Sequence, residues 1–202
     1  MKKLIIVSLI FFIYFILISN CLAFFQKVYI NKRTYNSCTA FSPDGRYAIS
    51  ADARYTYFWD IPEGSRAAKY GQKGAWDINF SSDSRYAFSI GQREEAQLWD
   101  VAKRRLIWEF NTGHKKQVHS SDLSENGRYA ITSCRVRSDN TIRLWNLDSR
   151  TLIKTWSFHN GEDPTGVIFR PRVNQFLSTH EDGSLRLWDA DNKKLVISFR
   201  LI

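Results

Sequence analysis

The side chains best suited to chemistry are four histidines, His114, His119, His159 and His180, and three cysteines, Cys21, Cys38 and Cys134. An imidazole can bind a metal or carry a proton near neutral pH. A thiolate can attack an electrophile or ligate a soft metal. Neither use fits the spacing. No histidine pair stands at metal-ligand spacing with a second acidic or thiol ligand close by in the sequence. His180 runs directly into Glu181 and Asp182, the composition of a turn. Cys38 and Cys134 read as buried free thiols, since three cysteines at this spacing make neither a disulfide framework nor a metal cluster. A Gly-rich phosphate loop, a G-x-S-x-G elbow and a Cys–His nucleophile pattern are all missing from the sequence. Ser120-Ser121-Asp122 reads as the end of a strand. The chain carries no enzyme signature, and no metal or other cofactor is expected.

What does recur is a tryptophan followed by Asp or Asn at the end of an alternating stretch. Thr141-Ile142-Arg143-Leu144-Trp145-Asn146 returns as Ser184-Leu185-Arg186-Leu187-Trp188-Asp189, with fainter copies ending at Trp99-Asp100 and Trp59-Asp60. The steps between the tryptophans are 40, 46 and 43 residues, a period that signals a repeat architecture. Upstream of each lies a hairpin signal: Phe41-Ser42-Pro43-Asp44-Gly45, Phe80-Ser81-Ser82-Asp83-Ser84, Leu123-Ser124-Glu125-Asn126-Gly127 and Phe169-Arg170-Pro171-Arg172-Val173. Asp44-Gly45 and Asn126-Gly127 tolerate positive φ; the second and fourth copies lack that glycine and need another turn type or a strained one. An aromatic residue, Tyr70, Phe110, Trp156 or Phe199, always stands eleven residues past the tryptophan. Each unit therefore reads as a four-stranded antiparallel meander, at about residues 36–70, 75–110, 114–156 and 163–200.

These residues resemble the WD-repeat (G-protein-beta-like) family of β-propellers over roughly residues 36–200. The resemblance implies an all-β fold, a partial propeller of four four-stranded antiparallel blades within residues 24–202; the hydrophobic stretch before it is expected to form an N-terminal helix. It also implies a structural hydrogen-bonded set of His, Ser or Thr, Asp and Trp in each blade. Carried over residue by residue, that set is His114, Thr132, Asp139 and Trp145 in the third repeat. In the fourth it is Ser178, Asp182 and Trp188, with His159 one residue from the family's place. The second keeps Ser89 and Trp99 without the His or the turn Asp; the first keeps Ser50 and Trp59 with Asp52 displaced. Such a set is architectural, because a blade covered on both faces cannot leave an indole N–H or a hydroxyl unpaired. The first two repeats are accordingly expected to be looser than the last two. Family members hold partners on one face of the propeller. The equivalent positions here are Trp76, Gln117, His119, Ser138, Thr165 and Glu181, with Glu162-Asp163 in the longest loop.

Before the repeats comes a leader. Met1-Lys2-Lys3 is followed by a nearly unbroken apolar run at residues 4–18 and then Ser19-Asn20-Cys21-Leu22-Ala23. Residues 1–23 form a signal peptide or a membrane anchor, with three fates open: lipidation at Cys21, cleavage after Ala23, or retention of residues 4–25, which are long enough to span a bilayer. Membrane-associated or exported placement is therefore expected, in the cell envelope if the source is bacterial. The net charge of +9 favours acidic partners, but the aromatic residues recur at strand positions set by the repeat, so nucleic acid is not the expected partner.

Residues 25–30 offer a further outer strand, while the fourth repeat already owns its outer strand. A ring closed by one blade shared between the chain ends is therefore not expected. The remaining outcomes are an open arc, two copies completing a ring, or part of a longer ring. The leading functional reading is a non-catalytic protein–protein scaffold. Alternatives are a structural protein that self-associates through open blade ends, and a ligand-binding or enzymatic propeller with no recognisable motif. Replacing Cys21 by Ser separates the leader's fates: a lipidated chain should leave the membrane fraction, whereas a retained anchor should leave partition unchanged.

Overall fold

A computed structural model describes residues 36–52, 54–71, 74–91, 94–115, 118–136 and 139–200. The leader with Cys21 and the strand expected at residues 25–30 lie outside the described residues. The described chain is all β, with sixteen strands in four sheets. The first blade is β1 (Asn36–Phe41), β2 (Tyr47–Asp52), β3 (Tyr55–Asp60) and β4 (Ser65–Gly71). The second is β5 (Ala75–Phe80), β6 (Tyr86–Gly91), β7 (Glu95–Asp100) and β8 (Arg105–Asn111). The third is β9 (Val118–Leu123), β10 (Tyr129–Val136), β11 (Asp139–Asn146) and β12 (Thr151–Ser157). The fourth is β13 (Pro164–Phe169), β14 (Gln175–His180), β15 (Ser184–Asp189) and β16 (Lys194–Arg200). Within each sheet the strands pair antiparallel in chain order. Among the described residues no helix is long and apolar enough to cross a membrane.

Each tryptophan sits at a register break between the third and fourth strands, at Phe58/Trp59, Leu98/Trp99, Leu144/Trp145 and Leu187/Trp188. A bulge of this kind slips one strand by a residue and re-aims its side chains. The tryptophan then faces the preceding blade, while the aromatic eleven residues later faces the following one. The two meet at each boundary: Tyr70 lies 4.9 Å from Trp99, Phe110 lies 4.6 Å from Trp145 and Trp156 lies 5.3 Å from Trp188, ring centre to ring centre.

The core is accordingly divided into three clusters, one per boundary. Ile49 and Phe58 pack on Ala87 and Trp99; Phe88 and Leu98 pack on Leu123 and Trp145; Ile142 and Leu144 pack on Phe176 and Trp188. Burying a side chain the size of Leu, Ile or Phe stabilises the fold by about 1.5–3 kcal/mol, so blades hold one another rather than standing alone. Polar contacts between inner strands add register. Asp77 on β5 accepts hydrogen bonds from the Ser121 N–H (3.0 Å) and hydroxyl (2.8 Å) on β9. Asp122 on β9 accepts one from the Phe169 N–H on β13 (2.6 Å).

The turns resolve the missing glycines in two ways. Gly45 and Gly127 adopt φ of 69° and 66°, and Ser84 takes the same place at 60°. In the fourth blade the left-handed residue is instead Arg172, one position earlier, at 67°. The turn after each tryptophan shows the same thing, with Gly64 succeeded in later blades by Arg104, Arg150 and Lys193, all at positive φ. A residue with a Cβ costs about 1–2 kcal/mol in this region. Arg150→Gly should therefore stabilise the protein by about 0.5–1 kcal/mol once the entropy of glycine in the unfolded chain is subtracted, read as a rise in the midpoint of denaturant unfolding.

Candidate functional site

Four indole N–H groups organise the polar interior. In the third blade Trp145 Nε1 donates to Thr132 Oγ1 (3.2 Å), and Thr132 lies 2.9 Å from His114 Nε2. The Thr132 hydroxyl thus donates to Nε2, which leaves the proton on Nδ1, facing Asp139 Oδ2 at 3.3 Å and Thr141 Oγ1 at 3.1 Å. Asp139 also accepts from the Thr141 hydroxyl (2.6 Å) and from the main-chain N–H of Lys115. The chain runs from Trp to Thr to a neutral His to a carboxylate, with every donor used. Gly113 lets the loop enter: it holds φ of 68°, and a Cβ there would sit 2.5 Å from Arg143 Nη1.

In the fourth blade Trp188 Nε1 donates to Ser178 Oγ (2.8 Å), and the imidazole 2.7 Å from that hydroxyl belongs to His180. His159, the residue nearest the family's place, is exposed, and its carbonyl accepts from the Glu162 N–H (3.2 Å). The correction has a simple cause: His180 ends β14, two residues past Ser178 on the same face, and reaches the hydroxyl without a loop. Its Nδ1 closes on the Glu162 carbonyl at 2.8 Å. Asp182 turns to the Ser184 hydroxyl (2.6 Å) and N–H (2.9 Å) instead.

The second blade substitutes an amide for the missing imidazole. Trp99 Nε1 donates to Ser89 Oγ (2.8 Å), Ser89 reaches Gln97 Oε1 (3.4 Å), and Gln97 Nε2 donates to Glu109 (2.8 Å). In the first blade Trp59 Nε1 donates to Ser50 Oγ (2.9 Å), while Asp52 accepts from the Tyr57 hydroxyl (3.0 Å) and from the Arg54 and Tyr55 N–H groups, both at 2.7 Å. Gln97 and Tyr57 are the cross-strand neighbours of their serines. Sequence reasoning missed Gln97, Tyr57 and His180. The period-2 pairing across from each Ser was the signal that could have found the first two.

One metal-capable cluster occurs among the described residues: His114, Cys134 and Asp139 offer ligand atoms within 4.8 Å of one another. Sequence spacing did not anticipate the thiol. Both imidazole nitrogens and the Asp139 carboxylate already carry hydrogen bonds, so the group reads as a dry network rather than a metal cradle.

The protonation of these groups follows from burial. Burial holds His114 down to about 4; the Arg143 guanidinium adds to the depression and Asp139 opposes it. Burial likewise lowers His180. Asp122 moves the other way, pushed up to about 6 by burial, with the Asp77 carboxylate adding and the Phe169 and Leu123 N–H groups opposing.

At the end where the inner strands begin, Trp76 is 44% exposed on β5 and His119 is exposed on β9. Thr165 on β13 is half-buried and donates to the Thr179 hydroxyl (2.8 Å). Glu181, exposed at the neighbouring β14–β15 turn, donates its N–H to the Asp163 carbonyl (2.9 Å). Gln117 and Ser138 lie outside the described residues. Trp76, His119 and Thr165 stand four residues before the end of their strands, so one register position of three inner strands is brought to one rim.

Residues 104–146 and 150–189 match the family described as "WD domain, G-beta repeat". Autophagy-related protein 16 of Arabidopsis thaliana is 27% identical over 174 residues, covering 80% of this chain and 30% of that protein. Apoptotic protease-activating factor 1 of Homo sapiens is 28% identical over 100 residues, covering 50% of this chain and 8% of that protein. The chain thus spans less than a third of either relative's length. A solved structure of the RRP9 WD40 repeats superposes with a TM-score of 0.69 at 17% identity, covering 84% of this chain and 52% of that one; at this identity the likeness is one of fold.

Burial of His114 also sets a pH dependence. The unfolded chain protonates His114 near 6.5, but the folded protein resists down to about 4. Its contribution is present above 6.5 and is lost as pH falls through this window, by up to roughly 2–3 kcal/mol. Asp122 opposes this, since its raised folded value makes the native state the better proton binder between about 4 and 6. Denaturant titrations should show stability falling from pH 7 to pH 4.5, and Asp122→Asn should make that fall steeper.

Proposed function

Because the chain carries WD repeats at residues 104–146 and 150–189, we propose that it is a non-catalytic protein-interaction scaffold, held at a membrane or exported by its N-terminal leader. The observation that carries this reading is the rim of Trp76, His119, Thr165 and Glu181. The blades below it commit their polar groups to one another, as the His114 and His180 networks do. The rim offers an exposed indole, an exposed imidazole and an acid on a rigid frame. Rigid scaffolds bind through such positions because ordering costs little there, and tryptophan is the side chain most enriched among residues that dominate interface energies. The partner this composition suits is a folded protein surface or a peptide with an apolar anchor and polar flanks.

A non-catalytic role also agrees with the state of the titratable groups. His114 is neutral, enclosed and committed on both nitrogens, so it has no free position for a substrate. Membrane tethering rests on the leader alone. The test is crosslinking of the full chain in its native membranes, then identification of the captured protein. Trp76→Ala with His119→Ala should cut recovery of that same protein by at least about tenfold while leaving the thermal midpoint unchanged. Unchanged recovery with both variants in place would remove the rim as the binding surface.

A further inference from the structure

The end of the blades opposite the rim carries a pattern that the repeat architecture does not require. There each blade's third and fourth strands are joined by a turn with one left-handed residue. It is Gly64 in the first blade but Arg104, Arg150 and Lys193 in the others, at φ of 54°, 58° and 58°. A residue with a Cβ is disfavoured in that conformation, and glycine is its ordinary occupant. Long cations hold the place three times. Arg105 and Lys194 add positive charge beside it in the second and fourth blades, and Arg105, Arg150, Lys193 and Lys194 are all exposed.

Just past these cations stands a leucine. Leu106, Leu152 and Leu195 are the second residues of β8, β12 and β16, and pair with Trp99, Trp145 and Trp188. Paired residues point to one side of a sheet, so each leucine lies on the side that faces the preceding blade. Those preceding blades are all described, and still the three leucines are 37%, 44% and 47% exposed. A single exposed leucine is ordinary on a protein surface. One at the same register of three successive blades, each within two residues of an exposed cation, makes a row. The acids of the same turns are engaged within the fold. Asp100 accepts from the Lys103 N–H (2.9 Å), Asp189 from the Asn192 N–H (2.8 Å) and Asp191 from the Tyr129 hydroxyl (3.1 Å), while Asp148 faces Arg128 at 3.7 Å. The inner hairpin turns at the same end set Asp44, Asp83 and Glu125 against Arg46, Arg85 and Arg128, which leaves the sign of that end unchanged. What projects is positive charge with apolar side chains beside it.

We propose that this end of the protein lies on an anionic lipid surface, with Leu106, Leu152 and Leu195 entering the headgroup layer and the neighbouring cations meeting lipid phosphates. Charge complementarity selects the sign of the surface. The leucines select lipid over an acidic protein: separate aliphatic anchors with basic neighbours suit the boundary between headgroups and acyl chains, whereas ion pairing with a protein would leave them in water. The row also gives long cations a reason to occupy positions where glycine would relax the backbone. The N-terminal leader allows this placement, since the twelve residues 24–35 can span about 40 Å when extended, roughly twice the length of a six-residue strand. The contact uses no residue of the rim, so it stands or falls separately from the scaffold reading.

The experiment places the photoreactive residue benzoylphenylalanine at Ser149, in the exposed turn of the third blade, or at the exposed His159 of the opposite end as a control. The full chain is reconstituted on vesicles of phosphatidylcholine, with or without phosphatidylglycerol, and irradiated. Lipid adduct at the Ser149 position should be at least about tenfold higher with phosphatidylglycerol present, and should fall as salt is added. Arg150→Gln should lower it by about fivefold and Leu152→Gln by at least about threefold, with the thermal midpoint unchanged. Should Leu152→Gln lower the midpoint, Leu106→Gln takes its place. Equal adduct on both kinds of vesicle would overturn the proposal, because the leader alone would then be bringing the turn to the lipid. Adduct at His159 in place of Ser149, or adduct at Ser149 indifferent to both substitutions, would overturn it as well. Capture of a protein instead of lipid from the Ser149 position in native membranes would assign the row to an acidic partner and sink the lipid contact.

Discussion

The structure depends on one contact made at each blade boundary: an aromatic ring of one blade lying on the indole of the next, with that indole's N–H tied to a hydroxyl. The ring contact supplies apolar burial, worth about 0.5–1.5 kcal/mol beyond area when two aromatics meet. The hydrogen bond removes the cost that a buried donor would otherwise impose, about 1–3 kcal/mol if left unpaired. Neither half works without the other. An indole driven into the boundary needs an acceptor there, and the acceptor stays in place only because the indole and its neighbours exclude water. The bulge at each tryptophan makes both possible by turning the indole back toward one blade and the outer aromatic on toward the next.

Beyond the hydroxyl the networks diverge. The third blade continues through His114 to Asp139, the fourth through His180 to a main-chain carbonyl, the second through Gln97 to Glu109. The physical requirement is a group that accepts from the hydroxyl and is itself anchored. An imidazole from a loop, an imidazole from the strand end and an amide from the opposite strand all meet it. Fading of the tryptophan motif in the first two repeats therefore leaves none of the four indoles without an acceptor, and Trp99 is in fact the most buried of them.

The same contact explains where function is to be sought. The hydroxyl, imidazole and amide groups of the indole networks are consumed by holding strands together, which makes that part of the interior a poor place for chemistry. The surplus lies at the rim where inner strands begin. It is a product of repetition: one register position of three inner strands brought to one end.

The period of the tryptophans, the hairpin signals and the aromatic eleven residues on were enough to read four antiparallel meanders from the chain alone. These features are local. Each depends on residues a few positions apart, and a strand's period of two or a turn's tolerance of positive φ is written into residue type. The Thr132, His114 and Asp139 positions were legible for the same reason, through the family's pattern. Which histidine meets Ser178, that Gln97 stands in for an imidazole, that Cys134 lies beside His114, and that Ser84 and Arg172 take left-handed turns were decided only by the fold. Those outcomes turn on pairing register and on what the neighbouring blade covers, and such contacts join residues that no spacing along the chain brings together.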